Sequence, residues 1–90
     1  MSKVRFQLGQ IVITPGANVA LNREDVVTGL QRHLSGDFGD MSEEDVAYNE
    51  EALEIGGRIM SAYHDRNDTK FWIITEHDRS ATTILLPEEY

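Results

Sequence analysis

The last third of the chain holds three short runs of β-branched and aromatic residues, separated by two turns. The runs are residues 59–64, 70–76 and 81–86, and the turns are residues 65–68 and 77–80. Residues of the first kind favour strands, whereas Asp, Asn, Ser and Arg-rich stretches of four residues favour turns. Connections this short join only antiparallel neighbours. The sequence therefore predicts a three-stranded antiparallel meander, with the apolar run 71–74 in its central strand.

The first 35 residues predict one strand followed by helices. Alternation of apolar and polar residues from Val4 to Ile13 indicates a long strand with a bulge at Gly9. Thr14 and Pro15 then begin a short helical turn that runs through Leu21. A second helix begins at Asn22, with Asp25 as its capping-box partner, and ends at Gly36. Its apolar face is formed by Val26, Val27, Leu30 and Leu34.

The clearest helix start lies at Ser42, which is followed by three acidic residues in the first turn. Met41 and Val46 are spaced as a hydrophobic staple, and Gly56 limits the helix to an end near Leu53. The predicted architecture is a single α+β domain over residues 1–90. It has an N-terminal strand, two to three helices and then the meander, with the helices packed on one face of a four-stranded sheet.

Composition limits the functions open to this chain. The net charge of −8 opposes direct binding to nucleic acid or to anionic membranes. The absence of cysteine excludes disulfides, zinc–thiolate sites and a cysteine nucleophile. The N-terminus shows no secretory signal, and no apolar run approaches the ~20 residues of a membrane span, so we expect a cytoplasmic protein. The motifs of nucleotide-binding loops, serine hydrolases and zinc proteases are missing, and no cofactor is expected.

The most distinctive charge feature is a stretch without lysine or arginine between Arg32 and Arg58. Half of the sixteen acidic residues lie there: Asp37, Asp40, Glu43, Glu44, Asp45, Glu50, Glu51 and Glu54. Acidic side chains three and four residues apart share a helix face, where they repel one another. This pattern predicts either a solvated acidic face or a docking surface for a basic partner protein.

Histidine and carboxylate residues occur together in three places. His33, Asp37 and Asp40 are a possible ligand set for a divalent metal, although a histidine at this helix end also interacts favourably with the helix dipole. The triplet His-Asp-Arg occurs at residues 64–66 and again at 77–79. Because successive turns of a meander lie at opposite ends of the sheet, about 20 Å apart, we expect ordinary turn chemistry from each triplet rather than one joint site.

Four segments resemble a family of small bacterial proteins called "plasmid-related protein". They are LGQIVITPGA at 8–17, GDFGD at 36–40, WIITEHDRS at 72–80 and TILLPEEY at 83–90. At position 38 this chain has phenylalanine, whereas the family that it resembles has tryptophan there. The resemblance implies a setting in bacterial mobile DNA, without an established activity. It marks as contact candidates Gly36, Phe38, Gly39, Glu76, His77, Asp78, Arg79 and Ser80. Some relatives are labelled type I restriction methylation subunits, but this chain lacks the glycine-rich strand–helix turn of a cofactor-binding methyltransferase.

Three functions follow as hypotheses. The first is a non-enzymatic, mobile-element-associated regulatory protein whose acidic surface binds a basic protein of a DNA-handling or defence system. The second is a metal-dependent hydrolase or nuclease that uses His33, Asp37 and Asp40, with Glu76 or Asp78 added by the fold. The third is a structural homodimer that pairs edge strands or buries Trp72 and Tyr90.

Overall fold

A four-stranded mixed sheet organises the chain. The computed structural model describes residues 4–90. In chain order the elements are β1 (Gln10–Ile13), α1 (Pro15–Ala20), α2 (Arg23–Ser35), α3 (Glu43–Ile55), β2 (Ile59–His64), β3 (Lys70–Thr75), β4 (Ala81–Leu85) and a final 3₁₀ turn (Pro87–Glu89). The strand order is β1-β4-β3-β2. Strands β2, β3 and β4 pair antiparallel, whereas β1 is parallel to β4. The predicted α+β class and the meander with β3 at its centre are confirmed. No helix within residues 4–90 is long and apolar enough to cross a membrane.

The N-terminal strand is shorter than predicted, because the chain bends at Gly9. Residues 4–9 are not in a strand, and β1 begins only at Gln10. Gly9 has φ +64°, and a Cβ at this position would overlap the backbone of Arg79 and Ser80. The preceding segment instead crosses the end of α2, where the Arg5 amide donates to the carbonyl of Leu34 at 2.9 Å.

One core lies between the sheet and helices α1 and α2. Its buried members are Ala17, Leu21, Val26, Tyr63, Phe71, Ile73, Ile84 and Leu86, with Leu30 packed against them. Gly29 allows α2 to approach the sheet closely, since a Cβ there would lie 3.1 Å from Phe71. The predicted apolar face of α2 is only partly correct, because Val27 is 49% exposed.

A second apolar cluster fixes α3 beside the outer edge of β2. It consists of Phe38, Ala52 and Ile59, with Phe6, Met41, Val46 and Leu53 packed around them. The predicted staple residues Met41 and Val46 both belong to this cluster. The helix continues to Ile55, two residues beyond the predicted end, and stops at Gly56 with φ +82°.

The helix starts follow the sequence with one exception. Thr14, Asn22 and Ser42 accept hydrogen bonds from backbone amides three residues later, as an N-cap should. The predicted capping box at Asn22 is wrong, because Asp25 turns its carboxylate toward Arg66. The amide of Asn22 donates instead to the carboxylate of Asp65, at 3.0 Å. A distant turn therefore completes the cap that the local sequence was expected to supply.

Candidate protein-interaction surface

The eight acidic residues of the stretch without basic residues divide into two groups. Asp37 forms a salt bridge with Arg32 at 2.8 Å, and Glu50 forms one with Arg5 at 2.9 Å. The other six are exposed and, among the salt bridges of residues 4–90, take part in none. These six form what we call the acidic surface: Asp40, Glu43, Glu44, Asp45, Glu51 and Glu54.

The dipole of α3 interacts favourably with the acidic residues at the start of the helix and unfavourably with those near its end. Glu43, Glu44 and Asp45 lie in the first turn, where a negative charge stabilises the helix. Glu51 and Glu54 lie near its C-terminus, where a negative charge is unfavourable and where α3 has no basic residue of its own. The C-terminal half of the acidic surface therefore works against helix stability.

Arg79 supplies the missing positive charge at that end from another part of the fold. Its guanidinium donates to the carbonyls of Ala52, Gly57, Glu76 and His77, at 2.5 to 3.3 Å. The guanidinium also lies 5.7 Å from the ring centre of Phe6. Arg79 thus joins the end of α3 to the β3–β4 turn, and it adopts φ +61° to do so. Its sequence context did not indicate this role.

A groove of about 490 Å³ runs between α3 and the face of the sheet that α1 and α2 leave uncovered. Met60, Ala62 and Trp72 supply its apolar surface from the sheet, and Met41 and Tyr48 supply it from the α3 side. The polar lining residues are Asp40, Ser42, Asp45, Asn49, Arg58 and Lys70. Two members of the acidic surface, Asp40 and Asp45, therefore border this groove.

Tyr90 packs back on the sheet beside the groove rather than extending β4. Its ring meets Trp72 edge-on, with the ring centres 5.6 Å apart. Arg58 lies over the same ring at 5.3 Å and donates to the Tyr90 hydroxyl at 2.8 Å. The groove residues Arg58 and Trp72 are thereby held in place by the last residue of the chain.

The first family-like segment, residues 36–40, belongs to the loop between α2 and α3 and pairs with Ala62 at the outer edge of β2. Gly36 ends α2 with φ +88°, and Phe38 is buried. Gly39 has φ +72°, and a Cβ there would overlap the carbonyl of Ala62. Donation from Arg32 lowers the pKa of Asp37, which favours its charged form. Of this segment, only Asp40 belongs to the acidic surface.

The second family-like segment, residues 76–80, is the β3–β4 turn. Asp78 accepts from the amide of Ser80 at 3.0 Å. Hydrogen bonding by Ser80 lowers the pKa of Asp78. Glu76 and Arg79 are half-buried, and His77 is exposed. The other His-Asp-Arg triplet lies in the β2–β3 turn at the opposite end of the sheet, as expected. There Asp65 accepts from the amides of Asn22, Asn67 and Thr69, which lower its pKa.

His33 does not join Asp37 and Asp40 in a ligand set, because both of its ring nitrogens are engaged inside the core. The imidazole is fully buried and lies between Ser61, 2.5 Å from Nδ1, and Thr75, 2.9 Å from Nε2. His33 does lie in the last turn of α2, but burial lowers its pKa to about 4, so the ring carries no positive charge at neutral pH to interact with the helix dipole. Among the described residues no group of three or more His, Asp and Glu side chains is placed to hold a metal ion.

The site that the geometry assembles thus consists of the acidic surface and the groove beside it. Comparisons of the chain with protein-family models, with curated proteins and with solved structures found no match.

One residue that holds the site together, Asn49, was not predicted from the sequence. Its amide pairs with the backbone of Met60 and fixes α3 against β2. A lone asparagine within an acidic helix carries no local signal for such a contact.

Proposed function

We propose that this protein acts without catalysis, by binding a partner protein whose surface is basic. The observation that carries this proposal is the acidic surface: six exposed carboxylates, none of them in a salt bridge within residues 4–90, on one helix and the loop before it. Two of these carboxylates are at the unfavourable end of the helix dipole. A binding role explains why the fold keeps Glu51 and Glu54 where they oppose the stability of their own helix.

The groove gives this electrostatic surface an apolar component. Charged surfaces of opposite sign steer two proteins together and set their orientation, whereas a buried aromatic or aliphatic anchor supplies much of the affinity. Tyr48 and Trp72 line the groove, and Asp40 and Asp45 border it. The partner segment that fits this chemistry has lysine or arginine residues flanking an apolar side chain. The resemblance to plasmid-related proteins suggests a partner that handles DNA or defends the host, since such proteins carry basic surfaces.

The test compares two variants that remove the same amount of charge. The α3 triple variant carries Glu44→Gln, Glu51→Gln and Glu54→Gln. The remote triple variant carries Glu24→Gln, Asp68→Asn and Glu88→Gln, all exposed and outside the acidic surface. Tagged proteins capture partners from a nuclease-treated bacterial lysate at low and high salt. We expect the wild type and the remote variant to retain one or more basic proteins at low salt, and the α3 variant to lose them.

A captured partner is then purified and titrated against all three proteins. Loss of three carboxylates that each contribute about 0.5 kcal/mol weakens binding roughly tenfold in the α3 variant, and high salt weakens wild-type binding to a similar degree. Equal affinity of both triple variants, or binding that salt does not weaken, would contradict the proposal.

A further inference from the structure

The two edges of the sheet differ in how their backbone groups are satisfied. At the outer edge of β2, the side-chain amide of Asn49 donates to the carbonyl of Met60, and its oxygen accepts from the amide of the same residue. Two residues along the strand, the amide of Ala62 donates to the carbonyl of Phe38, and its carbonyl accepts from the amide of Asp40. Over Met60 and Ala62 this edge is therefore closed to further strand pairing.

The opposite edge, formed by β1, is open. The Gln10 amide donates to Ser80 and the Thr14 amide donates to Ile84, each at 3.0 Å. Alternate residues of a strand direct their backbone groups to the same side, so the amides and carbonyls of Ile11 and Ile13 point away from β4. Within residues 4–90 no strand pairs with this side of β1. The side chains of Ile11, Val12 and Ile13 are 53%, 40% and 38% exposed.

The distribution of charge along the chain indicates that a second copy of the protein can approach the β1 edge. Residues 6–22 contain no Asp, Glu, Lys, Arg or His, although the chain as a whole carries a net charge of −8. Two copies of so acidic a protein repel each other over most of their surfaces. They meet with the least repulsion at an edge whose own residues are uncharged and mostly apolar. The fold brings one carboxylate, that of Glu89, against Thr14 and Gly16 just beyond β1. A strand edge that carries charged side chains or proline is protected from such pairing, and β1 carries neither.

We propose that β1 pairs antiparallel with β1 of a second copy, across a two-fold axis that passes beside Val12. In this register Ile11 faces Ile13 of the second copy, and the symmetry repeats that pair. Both residues direct their free amide and carbonyl outward, so each pair exchanges two hydrogen bonds. Val12 faces its own counterpart at the axis. Every cross-strand contact of the three central positions joins β-branched apolar side chains, which stabilise paired strands.

The resulting dimer has one continuous eight-stranded sheet, twice the four strands of each copy. Because β1 and β2 are opposite edges of the sheet, the two α3 helices lie at its far ends. The dimer thus displays two acidic surfaces that point away from each other. The pairing does not depend on the proposed binding function, but it would make that binding bivalent.

Sedimentation velocity over a roughly thousand-fold range of concentration measures the pairing. We expect the full chain to shift from its monomer mass of 10.2 kDa to twice that mass. Val12→Lys and Val12→Asp each place like charges opposite each other at the axis, so either variant alone remains monomeric. An equimolar mixture of the two recovers the dimer, because Lys then faces Asp. This recovery also shows that both variants fold. The control Ile55→Lys, an exposed change on α3, dimerises like the wild type.

Amide hydrogen exchange locates the interface in the dimer. The amides of Ile11 and Ile13 become protected as concentration rises, whereas that of Thr14 is already bonded within each copy. A wild-type chain that stays monomeric throughout the range overturns the proposal. So does a dimer in which Ile11 and Ile13 exchange as fast as in the monomer, or a Val12→Lys variant that dimerises by itself.

Discussion

At the scale of single residues, the buried imidazole of His33 is held in one tautomer by a chain of hydroxyl groups. The Leu8 carbonyl can only accept a hydrogen bond, so the Thr82 hydroxyl, 2.7 Å away, donates to it. Thr82 must then accept from Thr75, 2.7 Å away, so Thr75 must accept from Nε2–H of His33. Nδ1 is left to accept from Ser61. The neutral imidazole satisfies every member of this chain, whereas a second ring proton would oppose the Ser61 hydroxyl.

This arrangement makes stability depend on pH between 7 and 5. Burial, helped by the positive charge of Arg79, lowers the pKa of His33 to about 4. The unfolded chain binds a proton near pH 6.5, so the contribution of neutral His33 is fully present above that pH and is lost as the pH falls toward 4. We expect the free energy of unfolding to fall by about 2 kcal/mol from pH 7 to pH 5, measured by urea titration.

The variant His33→Gln separates this effect from the titration of carboxylates. Glutamine can donate and accept but does not titrate, so the variant should be less stable at pH 7 and lose little more at pH 5. The carboxylates whose pKa is lowered, such as Asp37 and Asp65, affect stability only at more acidic pH, near and below ~4. An equal loss in the variant and the wild type would show that another group is responsible.

The two His-Asp-Arg triplets provide a second test, because identical sequences place their arginines in different surroundings. Arg79 donates to four carbonyls, whereas Arg66 forms exposed salt bridges with Glu24 and Asp25. Lysine cannot reproduce the planar set of donors of arginine. We expect Arg79→Lys to lower the free energy of unfolding by about 2 kcal/mol, and Arg66→Lys by less than about 1 kcal/mol. Urea titration of both variants at neutral pH checks the difference, and equal losses would contradict the role of Arg79.

At the scale of elements, α3 serves as the cover of a sheet edge. Asn49 takes the place that the backbone of a further strand would occupy beside Met60. Asn49→Ala removes the hydrogen-bond partners of both backbone groups of Met60 and uncovers part of the β2 edge. We expect a loss of about 2–3 kcal/mol and a greater tendency to aggregate on heating. Thermal unfolding with light scattering measures both effects. The control Gln31→Ala alters an exposed position of α2, and the prediction fails if the two variants behave alike.

The elements also show how far the sequence could lead. The meander, the N-caps at Thr14 and Ser42 and the end of α2 at Gly36 depend on short-range patterns, and all were predicted. The parallel pairing of β1 with β4 joins residues about 70 positions apart, for example Gln10 with Ala81. No local pattern encodes such a contact. For the same reason the sequence marked Glu50 as free acid, although the fold brings Arg5 beside it.

The candidate site was predicted in its charge but not in its shape. The stretch without basic residues correctly indicated where exposed acidic side chains would gather. The groove combines residues of a loop, α3 and two strands, and only the tertiary fold places Met41 near Trp72. His33 shows the opposite outcome. Its position near Asp37 in the sequence suggested a metal ligand, but the apolar neighbours Phe6 and Phe38 pack around its ring.

At the scale of the whole molecule, the net charge of −8 favours the binding of a basic partner but lowers the stability of the fold. Crowded carboxylates on α3 repel one another, and salt screens that repulsion. The α3 triple variant, Glu44→Gln with Glu51→Gln and Glu54→Gln, should be more stable than the wild type at low salt by about 0.5 kcal/mol, because relief of the two unfavourable charges near the C-terminus outweighs the loss of the favourable charge of Glu44 in the first turn. Its stability should also increase less with added NaCl. Urea titrations at low and high NaCl compare it with the remote triple variant, which relieves the same net charge without relieving α3.

A greater stability of the α3 variant, together with weaker partner binding, would mean that the acidic surface is kept at the expense of the fold. The remote variant isolates the local effect, because it lowers the net charge by the same amount and the one salt bridge that it removes, between Glu24 and Arg66 at 3.5 Å, is exposed and contributes little. If the wild type proves as stable as the α3 variant at low salt, the repulsion along α3 is no larger than the favourable dipole interaction that Glu44 loses. The acidic surface would then not be kept at the expense of the fold, and the affinity measurements alone would decide whether it binds a partner.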